Sequence, residues 1–194
     1  MPKLVDHDER RRAIVAAAWR LIAARGIDGI NMRDLAAEAG FANGALSHYF
    51  SGKDEILRTA FEHVLAATNE RIATSAHGLR GLRAVRKVCY EIMPLTETAR
   101  LEARIAVSLW QRAMTDHALE RVNNDAVAQW RTRIAGHLQE AVDDGECAPF
   151  DTADYAELIM TTMIGLQVTA VLDRSTTSRK AQLTLLESIL DRTR

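Results

Sequence analysis

Apolar residues recur along most of this chain at three- and four-residue spacing, the period of one helix face, and sustained two-residue alternation is nearly absent. Ile14, Ala17, Ala18, Leu21 and Ile22 form the first such stripe, and Gly26 follows Arg25 where a helix-ending glycine belongs. Asn31 can cap a second helix over 32–39, which ends at Gly40. The pattern predicts a third, short helix over 43–49. Ser51 and Asp54 then have the spacing of a capping box and open a long helix over about 54–75. Further helices are predicted over 80–93, stopped by Pro94, and over 97–114, 117–143, 153–173 and 178–192. Nine helices and no strand make an all-α chain. No repeat or low-complexity linker interrupts it, so the step from Phe50 into Ser51 is the candidate boundary. It separates a head over 1–53 from a larger domain over 54–194.

The second and third helices carry a specific pattern. Two short helices joined by a tight turn need a small residue inside the first and a glycine at the turn, where positive φ carries no steric cost. Ala36 and Gly40 supply both, and Leu35, Ala39, Phe41, Leu46 and Tyr49 fall on the inward side. This is helix-turn-helix spacing; the plainer reading is an ordinary tight corner between helices. If the pair docks on duplex DNA, its second helix offers its N-terminal residues to the major groove. Asn43, Gly44, Ala45 and Ser47 lie on the open side, with His48 beside them. Gly44 is costly inside a helix, yet it removes bulk where backbone could approach a phosphate or base edge. Asn43 can read adenine or cap the helix. Arg33, Tyr49 and Lys53 are placed to reach phosphates, which positions a module without specifying sequence.

Charge changes the picture only modestly. The whole chain has a net charge of −1, but residues 1–53 hold eight Lys/Arg against six Asp/Glu, and the remainder is acidic. That leans the head toward a polyanion and the rest away from one. No apolar run approaches the roughly 20 residues of a bilayer crossing, and MPKLVDHDERRR lacks a signal h-region. A cytoplasmic protein with no membrane partner is expected. Cys89 and Cys147 lack metal-ligand spacing and read as buried thiols. No H-E-x-x-H, G-x-S-x-G, G-x-x-x-x-G-K or strand-borne G-x-G-x-x-G occurs, and the six histidines include no i, i+4 pair. Neither an enzyme, a metal site nor a cofactor is expected.

The block R-x-x-I-x-x-A-A-x-x-x-I-x-x-x-G, then M-R-D-L-A-x-x-A-G-F, G-A-L-S-H-Y-F and S-x-K-D-x-I-L, runs from about Arg11 to Leu57. It resembles the N-terminal DNA-binding domain of TetR-family repressors, and the S-H-Y-F ending and MPKL start resemble the choline-responsive BetI-type branch of that family. The resemblance implies a three-helix DNA-binding head, a C-terminal helical domain for ligand binding and dimerisation, a double-stranded DNA operator and a small-molecule effector. The family usually has Ser or Thr where Ala42 stands and often Tyr where Ser47 stands. The first departure moves capping to Asn43 or leaves it weak; the second leaves one of the family's phosphate contacts open.

In the larger domain, the helix over 153–173 is apolar almost all round, and the last helix adds Leu183, Leu185, Leu186, Ile189 and Leu190. Together they can form half of a four-helix bundle across a two-fold axis. Val168, Leu172, Leu183, Leu186 and Leu190 are the candidate seam of a homodimer; the plainer reading is a monomer with a large core. For an effector, Glu102 and Trp110 share one helix face, with Trp130, Met163 and Gln167 as possible walls. Aromatic faces and a carboxylate suit a cation such as choline or another amine. Tryptophan as core filler and Glu102 as an interhelical ion pair are the bland alternatives. The leading expectation is a DNA-binding regulator. The others are a helical protein-interaction module, or a ligand-binding bundle that does not bind DNA.

Overall fold

The computed structural model describes residues 3–27, 29–42, 44–173 and 175–193; for residues 3–6 only the helical backbone is described. Eight α-helices follow one another: α1 (Lys3–Arg25), α2 (Met32–Ala39), α3 (Lys53–Ser75), α4 (Gly81–Ile92), α5 (Glu97–Ala113), α6 (His117–Asp143), α7 (Thr152–Leu172) and α8 (Arg179–Leu190). Short 3₁₀ turns occupy Ala45–His48 and Asp191–Thr193, and no strand occurs among the described residues. The all-α expectation holds. The predicted third helix is corrected: among its described residues only Ala45–His48 is helical, as a single 3₁₀ turn.

The chain forms two compact units, Met1–Val64 with Arg104–Glu120, and Leu65–Ala103 with Arg121–Arg194. This division differs from the boundary predicted at residues 53 and 54. Helix α3 runs unbroken from Lys53, and its first half gives Ile56, Leu57, Ala60 and Phe61 to the buried interior of the first unit. The periodic stripe of α1 is buried there too: Ile14, Ala17 and Ala18 are fully inaccessible, and Leu21 and Ile22 nearly so.

The second unit has its own core, built from Ile72, Leu82, Val85, Val88 and Ile92 with Ile134 and Leu138 of α6, Ile159, Met160 and Met163 of α7, and Leu186 and Leu190 of α8. Asp151 caps α7 by accepting from the N–H groups of Ala153 and Asp154 at 3.0 Å, and Ser178 caps α8 through Ala181 at 3.2 Å. Arg86 of α4 makes a forked ion pair with Glu187 of α8 at 2.9 Å, tying the last helix to the bundle. Both cysteines are buried thiols as expected, and burial pushes Cys89 up to about 12, which keeps it unreactive.

Helix α7 corrects one expectation. By length and composition it is apolar enough to cross a bilayer, although only a third of its apolar window is buried within the chain. Its inner face packs in the core, while Leu158 and Leu172 on its outer side are exposed, as is Leu185 of α8.

Candidate nucleic-acid interface and effector site

The turn between α2 and the 3₁₀ segment is built from backbone geometry. Asn31 caps α2 by accepting from the Asp34 N–H at 2.9 Å. Gly40 ends the helix at φ +76°, its N–H shared between the carbonyls of Ala36 and Ala37, and the Phe41 N–H returns to Ala36 at 2.8 Å. That αL ending lets the chain reverse at once. Leu35, Ala36 and Leu46 are buried, so the pair is held by the predicted inward residues. Gly44 stands before the 3₁₀ turn at φ +91°, and a Cβ there would meet nothing within 4 Å. Its positive φ gives it a conformational requirement within the chain. Ala42 accepts the Ala45 N–H at 3.0 Å, and among the described residues no side chain caps the turn. Asn43 lies outside the described residues.

The other expected contact residues divide. Arg33, Gly44, Ser47 and His48 are exposed on the first unit, and Ala45 is half-buried beside them. Ser47 Oγ donates to the Gly44 carbonyl at 2.7 Å, so it also serves the turn. Tyr49 is half-buried between His7, with ring centroids 4.9 Å apart, and Phe41, at 5.8 Å edge-on, and Arg10 reaches its hydroxyl at 3.5 Å. Lys53 has a structural role beside its expected phosphate contact: its Nζ donates to the Ile27 carbonyl at 3.0 Å. The capping box is also corrected. Ser51 donates its N–H and Oγ to Glu55 at 2.7 and 2.9 Å, while Asp54 instead pairs with Arg112. Those two hydrogen bonds, with Arg11 alongside, hold the Glu55 carboxyl below its ordinary range.

Arg11 is a residue whose role the sequence reading missed. Its guanidinium donates to the Tyr49 carbonyl and to Glu55 at 3.2 Å, and lies 4.1 Å from the centroid of Phe50. One side chain of α1 thus fixes the exit of the turn. Its place at the head of the R-x-x-I pattern was visible, but nothing in spacing says what a surface arginine will touch.

Four of the expected effector residues, Glu102, Trp130, Met163 and Gln167, belong to the second unit, and Trp130 and Met163 share its buried cluster. The half-buried Trp110 belongs to the first. Glu102 is held by Arg71 in a bidentate pair at 3.0 and 2.7 Å, with only 12% of its side chain exposed. The ion-pair alternative is thus the one realised. Trp130 is buried and donates its indole N–H to Asn69 at 2.7 Å; Met163 is core; Gln167 donates to the Ile92 carbonyl at 3.0 Å. Clefts of about 530 Å³ (against Arg11, Arg12 and His63) and about 840 Å³ (against Ile27, Asp54 and Arg112) open in the first unit, and none of these five residues lines either. Among the described residues no cluster of His, Cys, Asp or Glu could hold a metal ion.

The seam expectation is corrected in part. Leu186 and Leu190 are fully buried in the chain's own core and have no surface to offer a partner, and Leu183 packs against that core. Val168 is half-buried, and Leu172 is 78% exposed.

Residues 14–60 match the model for bacterial regulatory proteins of the tetR family, and residues 81–194 match that for the C-terminal domain of BetI-type transcriptional repressors. The HTH-type transcriptional regulator PksA of Bacillus subtilis (strain 168) is 31% identical over 174 residues, covering 89% of this chain and 84% of PksA. The HTH-type transcriptional regulator BetI of Burkholderia cenocepacia (strain HI2424) is 26% identical over 147 residues, 73% of this chain and 74% of BetI. A transcriptional regulator from Saccharomonospora viridis, solved in complex with choline, shares the fold with a TM-score of 0.89 at 23% identity, covering 95% of this chain and 96% of that one.

Proposed function

This chain belongs to the TetR family and carries a BetI-type C-terminal domain, which makes it a transcriptional regulator and not an enzyme; on that premise we propose a cytoplasmic, homodimeric repressor released from its operator by a small organic cation. What carries the reading is the head: a Gly40 turn over buried Leu35, Ala36 and Leu46, with Arg33, Ser47 and His48 left exposed beside it. An exposed basic and small-residue surface on a rigid turn suits the major groove, with Arg33 against phosphate and Ala45, Ser47 and His48 against base edges.

A two-fold dimer supplies two heads, and a palindromic operator supplies half-sites about 34 Å apart. The outer face of α7 and α8, with Leu158, Leu172 and Leu185 exposed, supports a dimer seam there. Choline in the Saccharomonospora viridis regulator supports a cationic effector. The effector must bind more tightly to the dimer geometry in which the heads no longer match the operator.

The test is selection of DNA from a random pool by the purified protein, followed by titration with salt and with choline and other amines. Enrichment of a palindrome, affinity that falls steeply with salt and release by an amine support the proposal. Failure to enrich any sequence would overturn it in favour of a helical module that does not bind DNA.

A further inference from the structure

In the second unit a charge cluster spans three helices. Arg71 of α3 gives both terminal nitrogens to Glu102 of α5, its Nε to Glu91 of α4 at 3.2 Å, and a further N–H to Thr68 at 3.1 Å. One guanidinium thus serves two carboxylates, and the three groups together carry one net negative charge. Glu102 is the more enclosed carboxylate, with 12% of its side chain exposed against 25% for Glu91 and 36% for Arg71.

A carboxylate so enclosed is strongly unfavourable without a cation beside it. Arg71 is accessible enough to withdraw, and Glu91 remains to hold it when it does. If another cation takes Glu102, both carboxylates stay paired and no buried charge is stranded. The cluster therefore has two fully paired arrangements, the requirement for a bistable element. They differ in one respect: only the first ties Arg71 of α3 to Glu102 of α5, whereas the Asp54–Arg112 pair joins the same two helices in both. Helix α3 is the one that starts at Lys53, directly after the turn.

We propose that Arg71 is a tethered counter-cation occupying the anionic subsite of the effector, and that a small organic cation enters by exchanging with it at Glu102, breaking the Arg71–Glu102 tie between α3 and α5. The proposal rests on the effector reading above and deepens it. Arg71 is then a specificity-determining residue. A weakly held amine does not displace a forked guanidinium, so only a cation with additional contacts elsewhere breaks the tie.

The experiment measures binding of choline and of tetramethylammonium by calorimetry on the DNA-free protein, for wild type, Arg71→Met and Glu91→Gln, with thermal melts as the control of fold. Arg71→Met keeps an apolar stem and removes the competitor, so it is expected to bind these cations about fivefold or more tighter. Glu91→Gln leaves Glu102 intact but removes the carboxylate that receives the evicted Arg71, so it is expected to bind them more weakly. A merely structural ion pair predicts lower melting temperatures with no gain in cation affinity for Arg71→Met, and that result overturns the proposal. Should Arg71→Met not fold, Arg71→Lys, which keeps the charge and loses the fork, is read for the same gain, and its absence overturns the proposal equally. Operator retention is scored separately. A wild type that selects no DNA overturns the regulator reading, whereas unchanged cation affinity in the arginine variant of a DNA-binding protein overturns only the exchange.

Discussion

Lys53 Nζ donates to the carbonyl oxygen of Ile27 at 3.0 Å, joining the first residue of α3 to the segment between α1 and α2. A hydrogen bond from a charged donor contributes about 1.5–3 kcal/mol when half-buried. Lys53→Ala is therefore expected to lower the melting temperature of the head and to weaken DNA binding as a consequence. Were Lys53 solely a phosphate contact, the melt would be unchanged and only the salt dependence would flatten. Parallel melts and salt titrations of the two proteins separate these outcomes.

Arg33 makes the complementary case. It is exposed on α2 and engages no partner among the described contacts. Arg33→Ala is expected to leave the melt within about 0.5 kcal/mol of wild type. Affinity for all DNA sequences should fall together, and the slope of log K against log salt should become shallower by about one unit. A loss confined to one operator position would show instead that Arg33 reads a base.

Glu55 gives the head an acid limb. Its folded-state pKa is depressed, chiefly by the Ser51 N–H, then by the Ser51 hydroxyl and Arg11. A depressed carboxylate contributes stability that is present above its unfolded pKa and lost as pH falls through the folded value. Urea midpoints should therefore drop from roughly pH 5 downward, and Glu55→Gln should reduce that drop while lowering stability at neutral pH. If the glutamine variant shows the same acid limb as wild type, other carboxylates carry it.

Much of the fold was legible because helix periodicity and helix ends are local. Asn31, Gly40, Gly26 and the stripe of α1 declare themselves over a few residues, and the structure uses each as read. Partner choice was not legible. Ser51 had acidic residues three and four positions on, Asp54 and Glu55; the capping spacing favoured the first, yet Arg112, far away in sequence, takes Asp54 and leaves Glu55 for the serine. Glu102 and Trp110 share a helix face in sequence, but a long helix carries them into different compact units, and Arg71 reaches Glu102 first. Gly44 was read only in part for a related reason: composition shows that a glycine is present, and only the backbone shows the positive φ that it supplies.

The dimer prediction turns on which leucines have a surface. Apolar periodicity alone marked Leu172 and Leu186 alike, because a helix buried against its own chain and one buried against a partner have the same sequence pattern. In the chain Leu186 is fully buried and Leu172 is 78% exposed. Leu186→Ala is therefore expected to cost about 2–5 kcal/mol of protomer stability, and a charge there should prevent folding. Leu172→Glu should leave the protomer folded, since its side chain already faces water, but place two like charges across the proposed two-fold seam. The expected products are an aggregated or unfolded Leu186→Glu and a well-folded, monomeric Leu172→Glu with weakened operator binding. Sedimentation velocity at micromolar concentration, run beside a thermal melt, reads both. A Leu172→Glu protein that sediments as a dimer indistinguishable from wild type would remove this end of α7 from the seam. Leu158→Glu, at the other end of the same exposed side, would then decide whether the seam lies on α7 at all.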